Sequence, residues 1–348
     1  MKGIGIIGCG KIAQIRHIPE FLSNPDSRIV ALYDANLERA SVLASKIGCK
    51  AYATLDEILS DKEIDAVCVS VANVAHCEVT VKALKAGKHV LCEKPMAITI
   101  EECEEMVRVA DECGLKLMIG QNQRLAKAHV EAKKLIEAGA IGKVLTFNTS
   151  FGHSGPENWS VDPGKNTWFF DKSKAAMGVM ADLGIHKTDL IQYITGQQVT
   201  ATTARLVTID KKGPDDKLIG VDDNAICIYE MSGGAIGTMT ASWTYYGAED
   251  NSTTIRGTLG EMRIYDIDRH QIEIRKPGCR VETFDLEDIQ TNENQTKSGI
   301  ADAFMDCLEH DTEPLIPARG VLAAMRAVFS SILSSETGQR VEIPANAL

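Results

Sequence analysis

Three residues carry the types and spacing needed to move a proton and a hydride. Lys94 stands in Glu93-Lys94-Pro95, directly after the apolar run Lys88–Cys92. A lysine at the carboxyl end of a parallel strand points into the crevice where such sheets hold their ligands. Its ammonium can polarise a hydroxyl or carbonyl oxygen and stabilise the alkoxide that develops as a hydride departs. Pro95 fixes the chain direction beside it. Asp182 and His186 stand in Asp182-Leu-Gly-Ile-His186-Lys-Thr-Asp189. Positions i, i+4 and i+7 of a helix share a face, which predicts Asp182, His186 and Asp189 in one row. A histidine beside a carboxylate is suited to take a hydroxyl proton near neutral pH. The same pair could hold zinc, but no convincing third ligand is present and no metal is expected. An ordinary helical side-chain pair is the remaining alternative.

A glycine loop supplies the partner for a hydride. Gly8-Cys-Gly10-Lys-Ile-Ala13 follows the first apolar run and opens a helical stretch. It has the G-x-G-x-x-A pattern of dinucleotide sites. Gly8 allows the tight turn, Gly10 lets the backbone approach a pyrophosphate, and Ala13 permits close helix–strand packing. The helix N-terminus, with Lys11 and Ile12, offers free N–H groups to the phosphates. Asp34 lies 21 residues past Ala13, at the end of the second strand, where a carboxylate binds both ribose hydroxyls and repels a 2′-phosphate. NAD is therefore expected over NADP. Arg39 is placed near the adenine, or is a solvated helix residue. Ser70, Val71, Ala72 and Asn73 end the fourth strand and face the cofactor, with His76 just beyond. His76 reads equally as a cap or packing residue. Glu93, Lys94, Gln121 and Trp168 complete the expected cofactor shell.

The loop Gly152–Asp171 precedes the Asp182 helix and holds Trp159, Asn166 and Trp168. Aromatic faces with polar tips suit a sugar, and Trp168 could also abut the nicotinamide; a packed, ordered loop is the plain alternative. The expected substrate contacts are Lys94, Arg124, Trp159, Asn166, Asp182 and His186. Asn122 begins the second domain beside the cleft, and Tyr245 and Tyr246 are within reach or part of the core.

The elements that must position these residues alternate regularly at first. Apolar runs at Gly3–Ile7, Arg28–Tyr33, Ile64–Val71, Lys88–Cys92 and Lys116–Ile119 predict parallel strands covered on both faces. Between them, Leu37–Ile47, Ala75–Ala86 and Ile100–Cys113 have helical periodicity. Thr99 with Glu102 predicts a capping box, and Gly87 and Gly114 predict helix ends. Pro19 is expected in the first turn of a second short helix. The fold is thus α/β, with an N-terminal doubly wound parallel sheet over residues 1–121. Residues 122–348 are expected to form a substrate and assembly domain. There, helices near Ala126–Ala138 and Gly178–Ile194 and the strand Val144–Phe151 precede short strand patterns between Val199 and Phe284, such as NAICIYEM, AIGTMTASW, STTIRG and QIEIRK. They predict a large, open, mostly antiparallel sheet. Helices near Thr296–Glu309 and Arg319–Ser335 follow.

Composition limits the partners. The chain has 348 residues, more than one core usually supports, so two domains are expected. A net charge of -11 argues against nonspecific nucleic-acid binding. No secretory leader or membrane-spanning run is visible. The ten cysteines, at 9, 49, 68, 77, 92, 103, 113, 227, 279 and 307, have no CxxC spacing. Reduced thiols in a cytoplasmic protein are expected.

The order G-x-G-x-x-A, then AGKHVLCEKP, then D-x-x-x-H-x-x-D resembles the Gfo/Idh/MocA family of oxidoreductases, over nearly the whole chain. That resemblance implies a Rossmann domain followed by an α/β domain whose open sheet forms a dimer or tetramer interface. It implies that Lys94 and His186 act on a substrate hydroxyl with Asp182 beside them. The implied activity is NAD-dependent dehydrogenation of a secondary alcohol on a sugar, cyclitol or glycoside. Inositols, free aldoses, nucleotide sugars and glycosides all remain open. Alternatives within the family are glycoside cleavage through a transient keto-sugar, and a non-catalytic NAD(P)-binding regulator, which tends to lose the lysine or histidine. One departure is Ser70-Val71-Ala72-Asn73, where the family often has Thr-Pro-Asn; it should alter the loop slightly without abolishing cofactor binding.

Overall fold

The computed structural model describes residues 1–266, 270–288 and 297–344. Six strands form the first sheet: β1 (Lys2–Ile7), β2 (Ser27–Tyr33), β3 (Lys50–Tyr52), β4 (Ala66–Val69), β5 (His89–Cys92) and β6 (Leu117–Ile119). All are parallel, in the order β3-β2-β1-β4-β5-β6. β4 is buried along its whole length and β1 at all but its first residue, as expected of strands covered by helices on both faces. The order reverses between β1 and β4, which opens a crevice at their carboxyl ends. β3 escapes prediction because it is a three-residue edge strand with no apolar run.

The helices agree closely with their sequence signals. Leu37–Ile47 and Ile100–Cys113 have the expected bounds, and Gly48 and Gly114 end them in the left-handed conformation. Thr99 accepts the Glu102 N–H, but the Glu102 carboxylate takes the Ile98 N–H, one residue before the cap. Residues 11–23 follow one helical path with a π turn at Ala13–His17. Ile18 N–H bonds Ala13 O, five residues back, and Pro19 sits in the first turn of Ile18–Ser23. The wider turn carries a proline, which lacks a donor and crowds the preceding turn, without ending the helix.

The second sheet has nine strands: β7 (Val144–Gly152), β8 (Val199–Val207), β9 (Asn224–Met231), β10 (Ile236–Ser242), β11 (Thr253–Gly257), β12 (Gly260–Ile264), β13 (Ile272–Lys276), β14 (Arg280–Phe284) and β15 (Val341–Glu342). Their order is β14-β13-β12-β11-β7-β10-β9-β8-β15. The sheet is antiparallel except at β7–β10, which run parallel at its centre. One face packs on the helices Ile185–Thr195 and Leu322–Thr337. The other presents Ile226, Ile228 and Ile236 at 56, 44 and 47% exposure, alternating with buried Ala225, Cys227 and Tyr229.

The C-terminal part of the chain returns to the first sheet. Ile119 N–H bonds Ile316 O, extending β6 across the boundary. The Glu20 carboxylate accepts N–H bonds from Ser298 and Ala301 and so holds the start of Ile300–Glu309. The expected helix from Thr296 therefore begins at Ile300; Thr296 itself lies outside the described residues. The last helix begins at Leu322, after a 3-10 turn at Ala318–Val321. No described helix is long and apolar enough to cross a membrane.

Candidate active site

The glycine loop forms as its residue types require. Gly8 has φ 96°, and a Cβ there would stand 2.4 Å from Ser70 O. Ser70 Oγ donates to Gly8 O at 2.9 Å and locks the turn to the end of β4. A Cβ on Gly10 would meet nothing within 4 Å. That open face, followed by the first helical turn at Lys11 and Ile12, borders a cleft of about 640 Å³. The Asp34 carboxylate lines the same cleft and accepts N–H bonds from Cys9 at 2.7 Å and Asn36 at 2.8 Å. Its remaining lone pairs suit two ribose hydroxyls, and its charge disfavours a 2′-phosphate. The open glycine face, the free helix N-terminus and Asp34 fit NAD.

Two neighbours that line the cleft have their polar atoms engaged by protein partners. Arg39 lines the cleft, but its guanidinium bonds Asp162 at 2.8 Å and lies 3.7 Å from Asp34. It ties the 152–171 loop to the nucleotide half. His76 is 1% exposed, with Nδ1 2.7 Å from Pro95 O and Nε2 3.2 Å from Val71 O. It joins the β4 and β5 loops and also lines the cleft. Val71 and Asn73 line the cleft, and Asn73 Nδ2 also donates to Ala175 O at 2.9 Å.

At the other end of the cleft, Lys94 leaves β5 through the Glu93-Lys94-Pro95 segment. Glu93 is fixed by His17 Nε2 at 2.8 Å, Arg16 at 3.4 Å and the Lys94 N–H at 3.1 Å. Burial raises its carboxyl affinity for protons, but His17, Arg16 and Lys94 outweigh that and hold it far below the usual range. Lys94 Nζ donates to Asp182 O at 2.8 Å and Asp182 Oδ1 at 2.9 Å. Trp243 Nε1 donates to Asp182 Oδ2 at 3.1 Å.

Asp182 lies in a π turn, Met180–Gly184, that leads into Ile185–Thr195. The Asp222 side chain accepts N–H bonds from Gly178 and Met180 and anchors that turn. Burial pushes the Asp182 carboxyl up; Lys94, His153 and Trp243 pull it further down, so it stays ionised. Burial, then the charges of Lys94 and Arg16, hold His186 well below the ordinary histidine value, so its ring is neutral. His186 Nδ1 is buried without a hydrogen-bond partner.

The expected row Asp182–His186–Asp189 is divided between partners. Both Asp182 oxygens face Lys94 and Trp243, so the carboxylate braces the lysine instead of the imidazole. Asp189 is buried against Arg124, whose Nε bonds it at 2.7 Å while Nη2 also reaches Gly320 O at 3.0 Å. Arg124 is thus a structural clamp outside the cleft lining. Gln121 is 1% exposed and also outside it, whereas Asn122 and Gln123 line the wall. Asn166 and Tyr246 are exposed and outside the lining, and half-buried Tyr245 is outside it too.

Trp159 and Trp168 do line the cleft. Trp168 stacks on Phe169 with centroids 4.0 Å apart, and Trp159 meets Phe169 edge-on at 5.3 Å. Sequence reasoning missed His153, Arg16, Asp162 and Trp243. His153 stands in the same loop as Trp159, and its residue type was the available signal. Trp243 is 61 residues from Asp182, with nothing local to connect them.

Residues 2–121 match the model of an oxidoreductase family with an NAD-binding Rossmann fold, and residues 129–263 match that family's C-terminal domain. Levoglucosan dehydrogenase of Pseudarthrobacter phenanthrenivorans is 29% identical over 288 residues, covering 74% of this chain and 72% of that protein. Glucose-6-phosphate 3-dehydrogenase of Bacillus subtilis is 33% identical over 227 residues, covering 65% and 63%. The structure of an aldose-aldose oxidoreductase from Caulobacter crescentus, complexed with glycerol, superposes with a TM-score of 0.83 at 26% identity, over 98% of this chain and 99% of that one. With both of its domains matched, the chain belongs to the Gfo/Idh/MocA family of NAD-binding oxidoreductases.

Proposed function

We propose that the protein is an NAD-dependent dehydrogenase acting on a secondary alcohol of a sugar, cyclitol or glycoside. The observation that carries this is the Lys94 ammonium, 2.9 Å from Asp182 and beside neutral His186, in the cleft that begins at Gly8 and Gly10. When bound, the nicotinamide accepts hydride during oxidation and donates it in the reverse reaction. His186, being uncharged, takes the proton of the reacting hydroxyl. Lys94 stabilises the negative charge that develops on the oxygen. Asp182 holds Lys94 in place, and Trp243 holds Asp182.

Residues 1–121 bind the dinucleotide in this proposal, and residues 122–348 provide the substrate wall. The outward apolar face of the nine-stranded sheet, with Ile226, Ile228 and Ile236, supports assembly into a dimer or tetramer. Ten free cysteines suit a reducing cytoplasm. The test is NADH formation from NAD with a panel of polyols, sugars and glycosides, with products identified by mass spectrometry. A ketone product with stoichiometric NADH is expected. Glycoside cleavage without net NADH, or no oxidation of any member, overturns the proposal.

A further inference from the structure

Three buried nitrogens without partners belong to residues that line one end of the cleft: His186 Nδ1, His153 Nε2 and Trp159 Nε1. The rings are neighbours. His153 and Trp159 meet edge-on with centroids 6.4 Å apart, and Phe151 lies 6.1 Å from both His153 and His186. Buried polar atoms are nearly always hydrogen-bonded, so several orphans around one cavity mark where a ligand completes the set.

The hydrogen-bonding sense of two of these atoms is fixed. Gly155 N–H donates to His153 Nδ1 at 3.0 Å. An amide N–H cannot accept, so Nδ1 carries no proton and Nε2 must carry it. His153 is held in that position by its own N–H to Ser242 O at 3.0 Å. Gly155 has φ 102°, which presents its N–H to the ring. Burial lowers the proton affinity of His153, consistent with a neutral ring. Trp159 Nε1 is a donor by chemistry. This wall therefore offers two fixed, uncharged donors and calls for acceptor oxygens.

Four of the cations that line the cleft already face carboxylates. Lys94 faces Asp182 at 2.9 Å, Arg16 faces Glu93 at 3.4 Å, Lys174 faces Asp171 at 3.3 Å, and Lys127 faces Glu287. An anionic substrate group seated against Lys94, Arg16, Lys174 or Lys127 would have to separate an existing pair.

We propose that the substrate is an uncharged polyol and that His153 Nε2–H and Trp159 Nε1–H donate hydrogen bonds to its non-reacting oxygens. This rests on the dehydrogenase function above and adds the charge of the substrate and the residues that recognise it.

The test compares neutral polyols and sugars with their phosphate esters and aldonate counterparts, using the full chain with saturating NAD. The neutral member of each pair should have a kcat/KM at least about 100-fold higher. His153→Leu and Trp159→Phe should each raise KM for the neutral substrate about tenfold with a smaller change in kcat, as loss of a ground-state hydrogen bond does. His153→Gln, which keeps an N–H donor at similar reach, should recover most of the loss. NAD affinity and thermal melting, measured on each variant, should stay near wild type. Two results overturn the proposal and leave dehydrogenation standing: equal turnover of an anionic counterpart, or unchanged KM in both His153→Leu and Trp159→Phe. Absence of turnover on every neutral and anionic compound overturns the dehydrogenase function as well.

Discussion

Asp182 divides its carboxylate between Lys94, 2.9 Å from Oδ1, and the indole of Trp243, 3.1 Å from Oδ2. The aspartate of the helix motif is therefore the brace of the lysine, and His186 stands apart as a neutral ring. That separation gives the two groups different tasks. A paired, oriented ammonium is a fixed source of positive potential, and an uncharged imidazole is free to accept a proton.

Replacing Lys94 tests the first task. Lys94→Ala should lower kcat by roughly 10²–10³-fold, the usual effect of removing one preorganised donor from a developing oxyanion. NAD affinity should change little, because the glycine loop and Asp34 are untouched. Steady-state turnover together with fluorescence titration of NADH separates the two quantities. A kcat within a few-fold of wild type would remove Lys94 from the chemistry.

Trp243→Phe tests the brace. It keeps an aromatic ring where Trp243 is fully buried but removes the N–H that orients Asp182. Turnover should fall about tenfold with KM nearly constant, since a misoriented lysine weakens transition-state contacts more than binding. A change confined to KM would instead make Trp243 part of the substrate wall.

The acid limb of the oxidation rate should report His186. Oxidation needs the neutral ring, so the rate falls as pH drops through the folded-state value. Burial and Lys94 hold that value well below 6.5, so full oxidation should persist into weakly acidic buffer. A kcat/KM profile whose acid limb lies at or above pH 6.5 would contradict this environment for the ring.

Much of this site was legible because it is written in local patterns. The glycine loop, Asp34, Glu93-Lys94-Pro95 and the Asp182–His186 spacing are each encoded within a few residues of a strand or helix end. The parallel sheet followed from its apolar runs. What stayed hidden depends on which distant segments meet. Arg124 and Asp189 looked like site residues because nothing local reveals that they neutralise each other. His76 and Arg39 have partners that only the folded loops supply. The central β7–β10 parallel pair breaks the expected antiparallel order, since strand patterns carry no record of direction. The π turn at Met180–Gly184 also has no periodic signature, although it shapes the helix motif on which the assignment rested.

Asp162 and Arg39 predict a salt-sensitive closure of the cofactor end. Their 2.8 Å pair joins the 152–171 loop to the nucleotide half, and the Asp162 side chain is 64% exposed. Exposed pairs contribute little to stability and are screened by salt. Asp162→Ala should therefore leave the melting temperature within about 1–2 °C and raise KM for NAD by about 2–5-fold. The wild-type KM for NAD should climb with added salt more steeply than that of the variant. Identical salt dependence in both would mean that the pair does not hold the loop over the cofactor.

His129 gives the clearest stability prediction. It is 0% exposed, with Nδ1 2.8 Å from Gln123 O and Tyr265 edge-on at 5.3 Å. Burial, followed by the charge of Lys187, lowers its pKa from 6.5 to about 3. The folded state thus keeps His129 neutral at pH values where the unfolded chain has already bound a proton. The sign follows from that difference: above pH 6.5 neither state is charged and the effect is absent, and below it the unfolded state is increasingly favoured. By pH 5 this should cost about 2 kcal/mol, and the loss should keep growing until pH nears 3. His129→Gln removes the titration, so its own stability should fall less between pH 7 and pH 5 than that of the wild type, whatever its absolute stability. Denaturant melts of both proteins at the two pH values measure the difference directly. Equal losses would show that His129 can be protonated within the folded chain, through a path to solvent that its packing against Gln123 and Tyr265 does not provide.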